Sequence, residues 1–330
     1  MRSLLLLVSG LVLALPARAE VSELRVAKQY GLGYLQMMMM EDQQLIEKHA
    51  KAAGLGELKV TWATFRSSDV MNDAVISGTV EFVCLGPAGL ATIWAKTRGN
   101  IDVRGVAAMN AQPNFLNTRR PEIKTITDFS DRDRIALPAV KVAFQALALQ
   151  MAAAKQWGVA NYAKLDHLTV SMAHPDGMAA LLSGGGEITA HYTSAPFQYK
   201  ELAAPGIHKV LDSYQVMGGP YSFNVIAATA KFRAANPKTY AAFLAALQDA
   251  TDQINRDKPA AAEAYLRIAK DKAPAAEILA MLNDPQISFD LVPKRLMKVV
   301  EFMQEVGTIK VKPASWKELF FDNAHALPGS

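Results

Sequence analysis

Arg66 stands beside Ser67 and Ser68, where an expected strand gives way to an expected helix. A guanidinium, two hydroxyls and the free N–H groups of a helix start together suit a carboxylate, sulfonate or nitrate. A solvated surface arginine is an equal reading of the same residue. Lys141 follows Pro138-Ala139-Val140, again at a helix start, and carries the same two readings. His191 ends a strand in Ala190-His191-Tyr192-Thr193. Its imidazole could donate to an anion, although a histidine satisfied inside the fold is the commoner case. Tyr30, Tyr34, Phe144, Tyr192, Phe197 and Tyr221 could wall a pocket. About half of such aromatics touch ligand and the rest fill the core. Gly31-Leu32-Gly33 lies between a strand and a helix. It lacks the third glycine of a dinucleotide fingerprint, but two glycines let a ligand approach backbone N–H groups.

Other chemistries fall away. The chain has no HExxH, no phosphate-binding P-loop, no GxSxG elbow and no calcium loop. None of the six histidines is paired with another three or four residues on, so a helical metal clasp is not expected. Ser183-Gly184-Gly185-Gly186 follows a helix and precedes a strand, the order of a helix stop. In His174-Pro175-Asp176, Asp176 reads as a helix N-cap. Ser171 and Ser194 with His174 and His191 are the nucleophile and base types of an enzyme, but stand at no motif spacing.

The elements that must position these residues alternate. Strands are expected at 24–27, 58–62, 80–85, 103–109, 134–138, 168–172, 187–192, 209–211 and 224–228. Helices are expected at 35–53, 70–76, 90–96, 141–157 and 177–182, with Ser194 capping one that runs through Leu202. Ile126 to Phe129 makes a short helical turn, and from Ala230 onward the pattern is almost entirely helical. Strand–helix alternation implies an α/β protein whose mostly parallel sheets are covered on both faces. Ligands then bind beyond the carboxyl ends of the strands. The loops 29–34, 65–69, 85–89, 138–144, 173–176 and 191–194 should therefore line one cleft. Met37 to Met40 read as two core-facing and two partly surface residues, and Cys84 as a buried free thiol.

Composition sets the class. The 330 residues are 51% hydrophobic and 20% charged, with a formal net charge of +4 and one cysteine. That excludes a disordered chain, a disulfide framework and a cysteine-based zinc or iron–sulfur site. The small positive surplus does not argue for nucleic acid. Residues 1–19 read as a secretory signal peptide: Arg2, an apolar run from Leu4 to Leu15, Pro16, then Ala17-Arg18-Ala19. No cysteine follows the apolar run, so the expected product is soluble, exported and not lipid-anchored.

Strand–helix units behind such a signal include Ile126-Thr127-Asp128-Phe129 running on to Arg134-Ile135-Ala136-Leu137-Pro138. A second such phrase is Met178-Ala179-Ala180-Leu181-Leu182-Ser183-Gly184 before Glu187-Ile188-Thr189-Ala190. Their order and spacing, over roughly the whole mature chain, resemble the periplasmic solute-binding proteins of nitrate/sulfonate/taurine-type ABC importers. The resemblance implies a type II periplasmic binding protein fold, two α/β lobes closing over one small molecule. Lobe one would hold 20–108 plus 218–330 and lobe two 109–217, with turn-rich borders at 110–114 and 218–220. It implies ligand contacts from Gln29, Tyr30 and Tyr34, from Arg66 and Ser67, from Gly86 and Pro87, from Lys141 to Phe144 including Ala143, and from His191 and Tyr192. The expected protein is a monomer without cofactor. It would pass a small anionic organic solute, nitrate-, sulfonate- or taurine-like or an aromatic acid, to a membrane permease. Phe65-Arg66-Ser67-Ser68 differs from the small, glycine-rich loop of sulfonate binders and points away from a simple alkanesulfonate. Thiamine-pyrimidine synthases share this fold but carry a cysteine cluster, which a single Cys84 does not supply. A periplasmic enzyme acting on an aromatic or heterocyclic compound, or a soluble partner of a membrane receptor, are the alternatives.

Overall fold

The computed structural model describes residues 19–330. The expected signal peptide lies outside the described residues, apart from Ala19. The chain first builds β1 (Glu23–Lys28), α1 (Leu35–Asp42), α2 (Leu45–Ala52), β2 (Lys59–Thr64), α3 (Ser68–Ile76), β3 (Phe82–Leu85), α4 (Pro87–Thr97) and β4 (Val103–Ala111). It continues through β5 (Phe115–Thr118), β6 (Ile135–Leu137), α5 (Phe144–Trp157), β7 (Thr169–Ser171), α6 (His174–Ser183), β8 (Ala190–Thr193), α7 (Phe197–Leu202), β9 (His208–Asp212) and α8 (Ser213–Met217). The last stretch is β10 (Ser222–Thr229), α9 (Ala230–Ala235), α10 (Pro237–Arg256), α11 (Lys258–Ala269), α12 (Ala275–Asn283), β11 (Ser288–Phe289) and α13 (Leu296–Glu305).

Two sheets result, ordered β11-β4-β10-β3-β1-β2 and β7-β6-β8-β5-β9. β1 runs parallel to β2 and β3, and β6 parallel to β7 and β8. Among the described residues the chain passes between the sheets twice, after β4 and before β10. β10 enters the first sheet antiparallel, between β3 and β4. This is a two-lobed α/β architecture. One apolar cluster crosses both lobes, joining Val83, Leu85 and Leu90 to Leu116, Leu137 and Phe144. A second lies on the other face of the first sheet, where Phe82 stacks on Phe243 with centroids 3.8 Å apart.

Several elements differ from expectation, each for a physical reason. The helix expected over 35–53 is two helices, broken where Gln44 takes a left-handed conformation (φ 52°). Residues Leu35 to Met40 are all buried, whereas α2 buries only Leu45, Ile46 and Ala50. A helix apolar on every side belongs inside and an amphipathic one at the surface, and the break lets each half do so. All four methionines are therefore in the core, rather than two of them. α5 begins at Phe144 because Lys141 is left-handed (φ 65°) and Ala143 is the extended N-cap. α6 begins at His174 with Ala173 as N-cap, so Asp176 sits in the first turn, where its charge still favours the helix. α7 begins after Pro196 rather than at Ser194. β5 carries Asn117, a poor strand former, whose buried Nδ2 donates to the Gln198 carbonyl at 3.0 Å and to Glu201 at 2.9 Å. Cys84 is fully buried, and burial pushes its thiol well up.

Candidate functional site

Four helices start at the seam between the lobes. Ser68 opens α3, Gly86 is the N-cap of α4, Ala143 is the N-cap of α5, and His174 opens α6. No side chain caps any of the four. Ser67, which could cap α3, donates its hydroxyl to Asp69 instead. The first N–H groups of a helix have no partner within it and carry its positive end. These four starts meet around a cavity of about 20 Å3, space for one water-sized group. Gln29, Tyr34, Phe144, Gln145, Phe223 and Asn224 complete the walls with Pro138. No formally charged side chain lines it.

The loop after β1 is held in place from beneath. The Gly33 carbonyl accepts from Asn110 Nδ2 at 2.5 Å and from Asn224 Nδ2 at 2.9 Å. A Cβ at Gly33 would lie 2.7 Å from Gln112 Nε2 and 2.9 Å from Asn224 Nδ2, so a side chain there would have to push both amides aside. Across the seam, a Cβ at Gly86 would lie 3.4 Å from Phe144 Cβ. The lobes thus touch at the cavity itself.

His174 is buried, and its Nδ1 is 2.7 Å from Thr193 Oγ1. Burial, together with the neighbouring His191, holds its pKa well below the usual histidine value. It faces the cavity as a neutral imidazole. Tyr34 is also buried there, and burial pushes its phenol well up, with Cys84 adding to the shift.

The expected site residues divide. Gln29, Tyr34, Gly86, Ala143 and Phe144 come together around the cavity. Ser67 and Pro87 are neighbours of lining residues without lining it themselves. Arg66 and Lys141 are exposed and lie outside the lining, so neither charge reaches it. His191 is fully buried inside the second lobe, its Nδ1 2.5 Å from Glu201 Oε1. Its other nitrogen packs on Gly177, where a Cβ would lie 2.5 Å away. Tyr192 is fully buried in the shared core, and burial pushes its phenol up. Tyr221 packs against Phe144, the tilted rings 4.4 Å apart, and its hydroxyl bonds Ser213 and Asn114 at the passage between lobes.

Tyr30 is 42% exposed in a separate groove of about 800 Å3 that opens along the outer edge of the seam. Gln29 lines both spaces. Sequence reasoning placed the loops of Ser68, Pro138 and His174 along the cleft without naming these three as ligand contacts, and it did not assign Gln145, Phe223 or Asn224 to the site. For Gln145 and His174 the available signal was position: each stands in the first turn of a helix that follows a strand of the second sheet. Phe223 and Asn224 gave none, because β10 returns to the first sheet from a remote part of the chain. Among the described residues no group of three or more His, Cys, Asp or Glu could hold a metal ion.

No protein-family model matches the sequence, and no curated protein matches it. Solved structures do resemble it. The alkanesulfonate-binding protein SsuA from Xanthomonas axonopodis pv. citri, bound to MOPS, superposes with a TM-score of 0.68 at 16% identity, over 93% of this chain and 98% of that one. The periplasmic aliphatic sulphonate-binding protein SsuA from Escherichia coli gives 0.66 at 17% identity, over 92% and 93%. The periplasmic nitrate-binding protein NrtA from Synechocystis PCC 6803 gives 0.67 at 12% identity, over 93% and 86%. With its two sheets, double passage and seam of helix starts, the chain has the two-lobed fold of these periplasmic binding proteins.

Proposed function

We propose that the protein is the periplasmic solute-binding component of an ABC importer, and that it captures a small organic anion between its lobes. The observation that carries this reading is the meeting of four uncapped helix starts, two from each lobe, around one buried and uncharged cavity. Such N–H groups bind an anion without a cationic side chain. Gln29, Ser68, Gln145 and the neutral His174 add hydrogen-bonding groups, and Phe144 and Phe223 supply apolar contact. Charged residues at the surface, Arg66 included, are not part of this account.

One lobe carries β1–β4 and the chain from β10 onward, the other β5–β9, and they are hinged at the two passages. Opening admits the solute, and closure presents the loaded form to the permease. The protein acts as a monomer, without cofactor and without chemical turnover. Neither imidazole is hydrogen-bonded to Ser171 or Ser194: His174 bonds Thr193, and His191 bonds Glu201. The likeness to sulfonate- and nitrate-binding proteins supports the transport role, and no helix among the described residues is long and apolar enough to cross a membrane.

The test is a thermal-shift and calorimetry panel on residues 20–330 with nitrate, methanesulfonate, taurine, acetate, benzoate and benzenesulfonate. A ligand at a hundredfold its Kd stabilises the folded state by about 2.7 kcal/mol. Stabilisation by anions that are recovered unchanged supports the reading. Turnover of a panel member, or stabilisation by none of them, overturns it.

A further inference from the structure

We propose that the solute is an aromatic anion, its carboxylate or sulfonate head at the four helix starts and its ring system in the outer groove. This rests on reading the cleft as the solute site. The first argument is size. The cavity of about 20 Å3 admits only part of a small head, whereas the groove of about 800 Å3 is in the range of sites that enclose a whole organic ligand. Gln29 lines both, so the two spaces adjoin at this one side chain, and a molecule with its head in one would reach the other past Gln29.

The second argument is the chemistry of the groove walls. Tyr30, Met38 and Tyr265 of the first lobe face Pro175, Met178 and Phe197 of the second. Tyr30 is among the few large apolar side chains left well exposed. Phe197 stacks on His174 at 5.7 Å, which ties the groove wall to the cavity wall. A ring between these surfaces gains apolar and stacking contact that a methyl group cannot make.

The third argument is charge. Three groove cations are already paired, Lys28 with Glu41, Arg267 with Asp42 and Lys200 with Asp271. Lys270 and Lys272 also line the groove and form no ion pair among the described residues. The surplus is positive, which favours an anion entering by this route.

The experiment compares matched pairs by calorimetry, benzoate against acetate and benzenesulfonate against methanesulfonate. It is run on the wild type, on Tyr30→Ala and on Met178→Glu. Both substitutions fall on side chains that are not buried, so the fold should tolerate them. The aromatic member of at least one pair should bind about tenfold more tightly or better. Tyr30→Ala should shrink that ratio, and Met178→Glu should weaken the aromatic anion by placing a carboxylate beside its ring. Equal affinity within both pairs, or a ratio untouched by either substitution, overturns the proposal while leaving the cleft as an anion site. Failure of all four anions to bind overturns the proposal, and failure of nitrate and taurine as well removes the reading of the cleft on which it rests.

Discussion

The backbone N–H of Leu32 donates to the carbonyl of Ala195 at 2.9 Å, joining the loop after β1 in one lobe to the segment after β8 in the other. Tyr199 continues the seam, its hydroxyl donating to Asp284 at 3.0 Å. Lys200 adds hydrogen bonds of 2.6 and 2.7 Å to Asp271. A short stretch of the second lobe, residues 195–200, thus bonds the first at three points.

Gly31 is the point at which this seam is most easily disturbed. It has φ 110°, and a Cβ there would lie 2.9 Å from the Ala195 oxygen. Both the conformation and the space exclude a side chain. Gly31→Val is expected to part the lobes at this edge and to weaken ligand binding by about tenfold or more. Small-angle scattering should report a larger radius of gyration than that of the wild type. An unchanged radius with unchanged affinity would show that the contact does not hold the lobes together.

The His191–Glu201 pair is a stability device in the second lobe. Both side chains are fully buried, and Asn117 donates to the second carboxylate oxygen at 2.9 Å. Removing one member leaves the other buried without its partner. Glu201→Ala should cost about 3–5 kcal/mol in chemical denaturation. A loss below about 1 kcal/mol, the scale of an exposed ion pair, would contradict this reading.

His174 makes stability depend on pH. Burial and the neighbouring His191 lower its folded pKa well below the ordinary value of 6.5. Above that value both folded and unfolded chains hold it neutral, and it contributes nothing to the slope. As pH falls below about 6.5 the unfolded chain takes up the proton first, so stability falls until the lower folded pKa is passed. The slope reaches at most about 1.4 kcal/mol per pH unit for this one group. Denaturation curves between pH 5 and 8 should show the decline, and His174→Asn should flatten it.

Arg66 and Gly86 separate the sequence view of the site from the structural one. Arg66 is exposed and lies outside the cavity lining, so Arg66→Ala should leave the Kd for the bound anion within about twofold, a few tenths of a kcal/mol. Gly86 faces Phe144 across the seam, and a Cβ added to it would lie 3.4 Å from Phe144 Cβ. Gly86→Val should overfill the cavity and weaken binding by about tenfold. Calorimetry with the tightest anion of the panel measures both, and a large loss in Arg66→Ala would return the guanidinium to the site.

The order of strands and helices was legible from residue pattern alone, because each buried strand and each amphipathic helix carries its own period. So was the convergence of the loop after β1, the N-cap of α4 and the start of α5 on one cleft, because a strand followed by a helix presents that end. What the local pattern could not decide was which polar groups would turn toward one another. His191 and Tyr192 stand at a strand end like any binding pair, yet Glu201 and the shared core claim them. Arg66 stands at a helix start, yet its side chain faces water. Asn224 reaches the Gly33 carbonyl from a strand that returns after the whole second lobe. Burial, pairing and the closeness of the two lobes are set by contacts between residues far apart in the chain, and only the tertiary structure brings those contacts into being.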